Sequence, residues 1–430
     1  MNVALYTLGC KVNTYESEAL QNMFVEEGFN IVDFHDFADV YIINTCTVTN
    51  QSDAKSRKTI RQAVKRNPDA IVAVMGCYSQ VDSETVAAID GVDIVIGTTH
   101  RAQLLQYVKR FMRERKQILE VSDITRYKTF DQLNVTSFAE NTRAFLKIQD
   151  GCNQYCSYCI IPFARGPIRS RDPESVIEEA QLLVEKGYKE IVLTGIHTGG
   201  YGTDLKDYSF YDLLKALSQI KGLKRLRISS IEINQLTEEI LTLMHDNPVF
   251  VKHLHIPLQS GSDRILRKMK RRYSLKDYEE KIAAFKKALP NVSITTDVIV
   301  GYPEETDEDF ETIKETIKRI QFSELHVFPY SKRSGTKAAQ VKDQVHGAVK
   351  SMRVNALITL NESLANAYID TVKDESQSVL FERCDGSVCK GHTSNYIMVS
   401  VETDKNLENT ICDVKIEAAH YPESKAVIVK

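Results

Sequence analysis

Short apolar runs alternate with amphipathic segments from the first residues onward, and this alternation constrains the fold more than any other sequence feature. Strand-like runs occur in NVALYTLG, DVYIINTC, AIVAVMGC and VDIVIGT, separated by helical patterns such as TYESEALQNMFVEEG. Because buried strands that alternate with helices form parallel sheets, we predict an open parallel α/β sheet over residues 1–115. No glycine-rich phosphate-binding motif stands at the strand–helix turns, which argues against a nucleotide-phosphate site there.

The same alternation resumes after a predicted connector at 117–141. Strand-like runs are AFLKIQD, EIVLTGIH, RLRISSI, HLHIPLQS, ITTDVIVGYP and LHVFPYS, again with helical patterns between them. These β/α units predict a partial (β/α)6 barrel over residues 138–370, with its chemistry at the carboxyl ends of the strands. The segment HGAVKSMRVNALITLNESLANAYIDT predicts a long helix that closes this part of the chain.

Residues 371–430 change to short β-like runs, which predicts a small β-barrel. This stretch contains seven Lys and Arg residues and ten Asp and Glu residues, so it is not basic overall. We interpret the cysteines of this stretch as structural, because no further cysteine completes a ligand set with them; they are Cys384, Cys389 and Cys412.

The composition is that of an ordinary globular protein, with 43% hydrophobic and 26% charged residues. The net charge of −3 gives no general attraction to nucleic acid. No apolar run reaches membrane-spanning length, and the N-terminus lacks the features of a signal peptide, so we expect a cytoplasmic protein without a membrane partner. Disulfides are rare in the cytoplasm, and the nine cysteines therefore point to metal binding, catalysis or burial.

Three cysteines stand within eight residues in CNQYCSYC, namely Cys152, Cys156 and Cys159. Thiolates bind zinc or iron–sulfur clusters. A closed zinc site or a ferredoxin cluster normally takes four protein ligands, and no fourth cysteine or histidine lies within a few residues of this loop. A four-iron cluster held by three cysteines would keep one iron open for a small ligand. A zinc loop or a set of buried thiols is the alternative.

Three more cysteines each follow a predicted strand of the N-terminal sheet: Cys10, Cys46 and Cys77. The carboxyl ends of parallel strands meet along one edge of a sheet, where ligands bind. Taken singly, each cysteine is more often a small buried residue. Together, at equivalent strand ends, they predict a second site with three thiols.

The spacing C-x3-C-x2-C, with Tyr158 before the last cysteine, resembles the signature of radical S-adenosylmethionine enzymes. In that family the open iron binds the methionine end of the cofactor, and one electron cleaves the cofactor to a 5′-deoxyadenosyl radical. Ser157 departs from the proline that is frequent in this loop, but the cysteine spacing is intact.

Two such sites in one chain resemble the methylthiotransferases of this family, and the resemblance covers essentially the whole chain, including a TRAM-like C-terminal barrel. Such a barrel is expected to bind tRNA, and because this one is not basic overall, we expect the contact on one face, around Lys390, His392, Asn395 and Tyr396. The resemblance implies two 4Fe–4S clusters, one S-adenosylmethionine as methyl donor and a second as radical source. It also implies a reducing electron donor and a sulfur donor as partners. TLGCKVN, CSYCIIPFARGPIRSR, LTGIHTGGYG and HVFPYSKRSGT look most like the branch that acts on C2 of threonylcarbamoyladenosine beside the anticodon of tRNA.

By the same resemblance, loops at the strand ends contact S-adenosylmethionine. The residues implied are Tyr158, Thr194, Gly195, His197, Gln259, Ser260, Val300 and Gly301. The stretch LTGIHTGGYG also fits an ordinary glycine-rich turn, and the acidic residues of PEET fit a helix start.

Basic residues cluster in RKMKRR, directly after a predicted strand-end loop, and such clusters neutralise phosphates. We predict RNA contact for the basic residues of this stretch, which are Arg267, Lys268, Lys270, Arg271 and Arg272. A second basic helix contains Arg57, Lys58, Arg61, Lys65 and Arg66. A solvated helix face is the alternative in both cases.

Other functions remain open at this level. Within the family, isopentenyladenosine in tRNA or an aspartate of a ribosomal protein are alternative substrates. Outside it, an iron–sulfur redox protein or a zinc-containing RNA-binding protein would also use clustered cysteines. Four-cysteine sites would favour the redox protein, and zinc without acid-labile sulfide would favour the RNA-binding module.

Overall fold

The computed structural model describes residues 1–133, 135, 137 and 142–429. Its N-terminal part is a six-stranded, all-parallel sheet with the strand order β2-β1-β3-β4-β5-β6. The strands are β1 (Asn2–Thr7), β2 (Asn30–Val32), β3 (Val40–Thr45), β4 (Ile71–Gly76), β5 (Ile94–Ile96) and β6 (Ile118–Glu120). The α-helices are α1 (Lys11–Glu26), α2 (Asn50–Arg66), α3 (Cys77–Val81), α4 (Ser83–Ala87) and α5 (Leu104–Glu114).

Central strands of this sheet are covered on both faces. Every residue of β3 and β4 is buried, and separate apolar clusters lie on the two sides of the sheet. This explains the nearly continuous apolar runs that predicted a parallel sheet. Two strands were not predicted: β2, and β6, which lies in the predicted connector and carries the sheet past the predicted limit at residue 115. The predicted start of the next domain, residue 138, lies outside the described residues.

Six parallel strands form an open barrel in the centre of the chain. They are β7 (Ala144–Lys147), β10 (Glu190–Thr194), β11 (Arg225–Ile228), β12 (His253–His255), β13 (Ser293–Val300) and β14 (Glu324–Pro329). Their order is β7-β10-β11 and β12-β13-β14, and parallel bridges from Leu226 to Phe250 and from Ser230 to His255 join the two halves. A short antiparallel pair, β8 (Gln149–Asp150) and β9 (Arg169–Ser170), lies beside β7. The predicted partial barrel is therefore confirmed.

Helices follow the barrel strands on the outside. They are α6 (Ile161–Arg165), α7 (Pro173–Glu185), α8 (Phe210–Ser218), α9 (Glu238–Asp246), α10 (Asp263–Met269), α11 (Leu275–Ala288) and α12 (Asp307–Ile320). Capping boxes at Ser209, Ser274 and Thr306 begin three of them, because each hydroxyl accepts a backbone N–H that the helix leaves unpaired. The 3₁₀ turns of the chain are Arg101–Gln103, Ile124–Arg126, Thr198–Gly200, Ile233–Gln235 and Ala338–Gln340.

The long predicted helix is α13 (Gly347–Val372), which packs on β13 and β14. A closed five-stranded barrel follows, with the order β15-β16-β17-β19-β18. Its strands are β15 (Gln377–Asp385), β16 (Val388–Thr393), β17 (Met398–Glu402), β18 (Ile411–Ile416) and β19 (Ser424–Ile428). The predicted C-terminal β-barrel is thus confirmed. Cys384 and Cys389 form a disulfide between β15 and β16, and Cys412 is free.

None of the helices in the described part of the chain combines the length and apolar character that crossing a bilayer requires.

Candidate functional site

The N-terminal cysteines follow three adjacent strands of the sheet. Cys10 comes after β1 and precedes α1, Cys46 follows β3, and Cys77 opens α3 directly after β4. Gly76 has a φ of +105°, and a side chain there would lie 2.5 Å from the carbonyl oxygen of Thr45. The absence of a side chain at Gly76 therefore lets the ends of β3 and β4 approach, which brings Cys77 beside Cys46.

Cys152, Cys156 and Cys159 lie on the loop between β8 and α6. The Cys159 N–H donates to the carbonyl oxygen of Cys156 at 3.0 Å, so the chain turns tightly between these two thiols. Ser157 anchors the loop, because its backbone N–H donates to the carbonyl oxygen of Met269 at 3.0 Å and its hydroxyl donates to that of Lys268 at 2.7 Å. The departure at Ser157 thus adds a hydrogen-bond anchor and leaves the cysteine loop intact.

The spacing of the thiols bears on what they hold. A tetrahedral zinc ion with sulfur 2.3 Å away would bring its thiolates to about 3.8 Å from one another. Across the described residues, which include every cysteine of both trios, only His255, Asp297 and His326 have ligand atoms that all lie within 4.8 Å of one another. In the described structure, the three Sγ atoms of neither trio all lie within that distance of one another. Thiolate chemistry and wide spacing fit a polynuclear iron–sulfur cluster, whose irons bind separate thiolates.

Burial raises the pKa of thiols in both sites. It raises the pKa of Cys77 to about 12, although Arg165 opposes the shift. It likewise raises the pKa of Cys159 to about 12 and that of Cys152 to about 11. A raised pKa favours the protonated form of these three thiols, so metal binding must displace their protons.

A guanidinium from the barrel contacts the N-terminal cysteine site. Arg165 stands at the end of α6, just after the loop of Cys152–Cys159, and its side chain is fully buried. Its Nε donates to Cys77 Sγ at 3.2 Å, and its Nη2 donates to Asn13 Oδ1 at 2.5 Å. Its Nη1 donates to Glu16 Oε1 at 2.6 Å. One side chain of the barrel thereby reaches into the N-terminal site.

A buried network of charges surrounds Arg165. Lys147 Nζ lies 2.7 Å from both Glu16 Oε1 and Asp150 Oδ2, and Arg101 Nη2 lies 3.1 Å from Glu16 Oε1. Burial raises the pKa of Glu16, but Arg101, Arg165 and Lys147 outweigh it and lower the value to about 2. Since a buried charge is costly when unpaired, this network holds the N-terminal sheet against the barrel.

Arg271 has an equivalent position at the second site. Its Nη1 donates to Cys156 Sγ at 3.4 Å, and its side chain pairs with Glu232 and lies over the Tyr273 ring. Only 4% of the Arg271 side chain is exposed. The prediction of RNA contact therefore does not hold for Arg271, which faces inward because it follows the turn that ends α10.

The rest of the predicted RNA-contacting stretch lies at the surface. Arg267, Lys270 and Arg272 are exposed, whereas Lys268 pairs with Glu304 at 2.5 Å. In the C-terminal barrel, three of the four residues expected to contact RNA turn toward the central barrel. His392 pairs with Glu382, Asn395 is buried, and Tyr396 stacks between His253 and His392, while Lys390 pairs with Glu423.

Some of the predicted cofactor residues lie together beside the cysteine loop. Tyr158 and Gln259 line one cavity of about 230 Å³ with Cys159, Asp297 and Tyr330. The His197 N–H donates to Gln149 Oε1 at 2.8 Å, and burial lowers the pKa of His197.

Thr194 and Gly195 lie at the same end of the barrel. Thr194 is buried at the end of β10, and a side chain at Gly195 would lie 3.0 Å from Gln149 Oε1. The glycine thus allows the backbone to lie close to the segment that leads into the cysteine loop.

Two of the predicted cofactor residues point elsewhere. The Val300 side chain belongs to the apolar core between strands and helices, and Ser260 is fully buried. Side chains alternate between the two faces of a strand, and Val300 has the parity of the core face, so only its backbone is available to a ligand. The Gly301 N–H donates to Glu305 Oε1 at 2.8 Å.

Sequence reasoning missed the polar interior of the barrel. Polar side chains on alternate strand positions face the lumen, whereas their neighbours pack in the apolar core. These residues include Lys147, Glu190, Arg225, Arg227, His253, His255, Asp297 and His326. The signal was present in RLRIS, HLHI and the alternation that follows Thr295, which is the period-two pattern of a strand with one polar face.

Asp297 lies between two imidazoles in this lumen. His255 Nε2 and His326 Nδ1 each lie 3.3 Å from Asp297 Oδ1, and the two rings stack with centroids 5.1 Å apart. His255 Nδ1 lies 2.9 Å from the Thr295 hydroxyl. The hydrogen bond to Asp297 raises the pKa of His326.

Comparisons with known proteins agree with this geometry. Residues 146–317 match the model of the radical SAM superfamily, and residues 2–97 match that of the uncharacterized protein family UPF0004. The radical S-adenosylmethionine methyltransferase TsrM of Kitasatospora setae has a similar fold, with a TM-score of 0.58 at 15% identity over 79% of this chain and 77% of that one.

Curated relatives resemble the chain over nearly its full length. The threonylcarbamoyladenosine tRNA methylthiotransferase MtaB of Bacillus subtilis (strain 168) is 48% identical over 100% of this chain and 96% of its own length. The protein of the same name from Aquifex aeolicus (strain VF5) is 41% identical over 88% and 92%. A tRNA-2-methylthio-N(6)-dimethylallyladenosine synthase of Natranaerobius thermophilus is 34% identical over 96% and 94%. The resemblance seen in the sequence is confirmed, and the chain belongs to the radical S-adenosylmethionine methylthiotransferase family.

Proposed function

We propose that the protein methylthiolates C2 of N6-threonylcarbamoyladenosine next to the anticodon of tRNA, using two molecules of S-adenosylmethionine. The observation that carries the proposal is the pair of three-cysteine sites, one at the edge of the N-terminal sheet and one on the barrel loop between β8 and α6, because the reaction needs both a radical source and a sulfur source. We infer the substrate from the relatives' names. The threonylcarbamoyladenosine enzyme is 48% identical over the whole chain, whereas the dimethylallyladenosine enzyme is 34% identical.

In this proposal Cys152, Cys156 and Cys159 hold one 4Fe–4S cluster, and Cys10, Cys46 and Cys77 hold the other. When bound, the clusters would supply the electron that cleaves one S-adenosylmethionine and the sulfur that accepts the methyl group of another. The cavity beside Cys159 that Tyr158 and Gln259 line is the proposed site for the adenosine of the cofactor. His197 and the Gly195 backbone are the proposed contacts at the methionine end, with Thr194 beneath them.

Three exposed basic residues near the barrel mouth are proposed to contact the phosphates of tRNA: Arg267, Lys270 and Arg272. A reducing electron donor and a sulfur donor are further proposed partners, since each turnover consumes electrons and a sulfur atom. We place the reaction in the cytoplasm, where tRNA is modified. The domain limits we propose are 1–120 for the cysteine-bearing sheet, 142–372 for the barrel and its closing helix, and 377–429 for the C-terminal barrel.

Nucleoside mass spectrometry on tRNA from cells with and without the gene tests the function. We expect 2-methylthio-N6-threonylcarbamoyladenosine to disappear and its parent nucleoside to accumulate when the gene is removed. Loss of a different methylthio nucleoside would keep the chemistry and refute the substrate. Unchanged tRNA together with loss of a methylthio group from a ribosomal protein would refute the tRNA proposal.

A further inference from the structure

One end of the barrel lumen contains more positive than negative charge. The guanidiniums of Arg143, Arg225 and Arg227 share two carboxylates there, those of Glu190 and Glu382. Arg227 Nε lies 2.6 Å from Glu190 Oε1, Arg225 Nη1 lies 3.4 Å from Glu190 Oε2, and Arg143 Nη2 lies 3.3 Å from Glu382 Oε2. Because three cations meet two anions in a buried environment, the group has an uncompensated positive charge, which is costly without an anionic partner.

Arg227 also has an unused donor. Its side chain is only 2% exposed, and its Nη1 has no hydrogen-bond partner among the described residues. The guanidinium lies over the Tyr396 ring, 4.7 Å from the centroid, and Arg143 lies over the same ring at 5.5 Å. Buried donors almost always have a partner, so an orphaned one beside excess positive charge points to an anionic ligand.

The neighbouring part of the lumen has its charges paired. His326 Nδ1 lies 3.3 Å from Asp297 Oδ1, and His326 Nε2 lies 3.9 Å from Glu324 Oε1. The excess positive charge therefore lies at the three guanidiniums beside Tyr396.

We propose that this cationic end of the lumen, formed by Arg143, Arg225 and Arg227 beside Tyr396, binds the carboxylate of the substrate's threonylcarbamoyl group. The inference rests on the proposed function and identifies the part of the substrate that selects it. A threonylcarbamoyl group ends in an α-carboxylate, whereas a dimethylallyl group is an uncharged hydrocarbon. A buried cationic site therefore binds the carboxylate, whereas a dimethylallyl group in the same site would leave the buried positive charge without a partner. Because an unpaired buried charge is costly, the site discriminates strongly against the uncharged group.

Full-length enzyme with both clusters reconstituted tests this on two anticodon stem-loop RNAs. One RNA carries threonylcarbamoyladenosine, and the other carries its neutral amide, in which the carboxylate is replaced by a carboxamide. Hydrogen bonds to charged groups are worth about ten- to a hundredfold in binding, so wild-type enzyme should favour the carboxylate RNA at least tenfold in kcat/KM. Arg143→Met and Arg227→Met should each reduce that preference at least fivefold, mainly through KM for the carboxylate RNA, and Arg143→Lys should retain more of it than Arg143→Met.

Lys276→Met is the matched control, because Lys276 is an exposed lysine whose ion-pair partner is the exposed Glu280. It should keep the wild-type preference. A general structural defect would lower turnover of both RNAs equally and leave the preference unchanged. If Arg143→Met and Arg227→Met both retain the wild-type preference, or if wild-type enzyme shows none while methylthiolating both RNAs, this inference is overturned and the proposed function stands. If wild-type enzyme methylthiolates neither RNA, both are refuted.

Discussion

Arg165 belongs to the barrel, but its side chain acts in the N-terminal cysteine site. It is buried in the contact between the N-terminal sheet and the barrel, where it donates to a thiol, an amide oxygen and a carboxylate. Lysine could keep the charge but could not direct three donors to three acceptors, because only the guanidinium has a rigid planar fork. The sequence marks Arg165 only as one basic residue six positions after Cys159. Its role follows from the approach of two segments that are distant in sequence.

Replacing Arg165 by Gln should have two separable effects. Leaving Glu16 without this partner should lower the free energy of unfolding by about 3–5 kcal/mol, the usual cost of breaking a buried ion pair. Loss of a donor and a positive charge beside Cys77 should also lower the reduction potential of the N-terminal cluster, since both favour the reduced state. Urea denaturation and an EPR-monitored redox titration measure these effects. Arg126→Gln is the control, because Arg126 is 88% exposed. An unchanged potential in a folded, iron-loaded variant would contradict the electrostatic role.

The carboxylate of Glu190 should make stability depend on pH. Burial raises its pKa, but Arg227, Arg143 and Arg225 outweigh that effect and lower it to about 2. A lowered folded-state pKa stabilises the protein above the unfolded value of about 4.5, and this stabilisation disappears as the pH falls toward 2. The shift corresponds to about 3 kcal/mol. We therefore expect cluster-free wild-type protein to lose more stability than Glu190→Gln between pH 5 and pH 2 in urea denaturation. Parallel curves for the two proteins would show that Glu190 does not titrate in this way.

At the scale of elements, the ends of strands were more predictable than the contacts between them. Cys10, Cys46 and Cys77 follow apolar runs whose strand character the sequence shows clearly, and parallel sheets place such ends on one edge. Strands β2 and β6 were missed, because each has only three residues and little apolar pattern to detect. The polar lumen was missed for another reason. The strands were predicted from their apolar positions, and the polar residues between those positions were counted as part of the same apolar runs.

The turn between β4 and α3 offers a test of how strand ends position the N-terminal site. Gly76→Ala would place a methyl group 2.5 Å from the Thr45 carbonyl oxygen at a φ of +105°, so the ends of β3 and β4 must separate. We expect the variant to lose the iron of the N-terminal site and keep that of the second site, giving about half the wild-type iron and sulfide. Gly187→Ala is the control, because Gly187 has a φ of +93° with open space around it. It should cost only the left-handed strain of about 1–2 kcal/mol. Full iron content in Gly76→Ala would contradict this account of the turn.

At the scale of the molecule, the order of the three folded parts was predictable, and their mutual contacts were not. The buried network of Glu16, Arg101, Lys147, Asp150 and Arg165 joins the N-terminal sheet to the barrel, and within it Glu16 pairs with Lys147 and Arg165, each more than a hundred positions away in the sequence. No local pattern encodes such pairings, since each charged residue alone resembles a solvated one. The same holds for the C-terminal barrel, which looked like an independent RNA-binding module but turns His392 and Tyr396 toward the central lumen.

Tyr396 connects the C-terminal barrel to the central one, and its removal should uncouple them. The ring lies between those of His253 and His392, with centroid distances of 4.7 and 4.5 Å, and the guanidiniums of Arg143 and Arg227 lie against it. Tyr396→Ala should therefore cost about 3–5 kcal/mol and give the C-terminal strands a separate, earlier unfolding transition. Hydrogen exchange with mass spectrometry would detect it as faster exchange across β15–β19 alone. Tyr421→Phe, which loses hydroxyl contacts to Glu324 and Asn361 but keeps the ring, should leave one cooperative transition. Uniform exchange in Tyr396→Ala would mean that other contacts, such as the bonds from Arg225 to the Ser378 and His392 carbonyls, suffice to couple the two barrels.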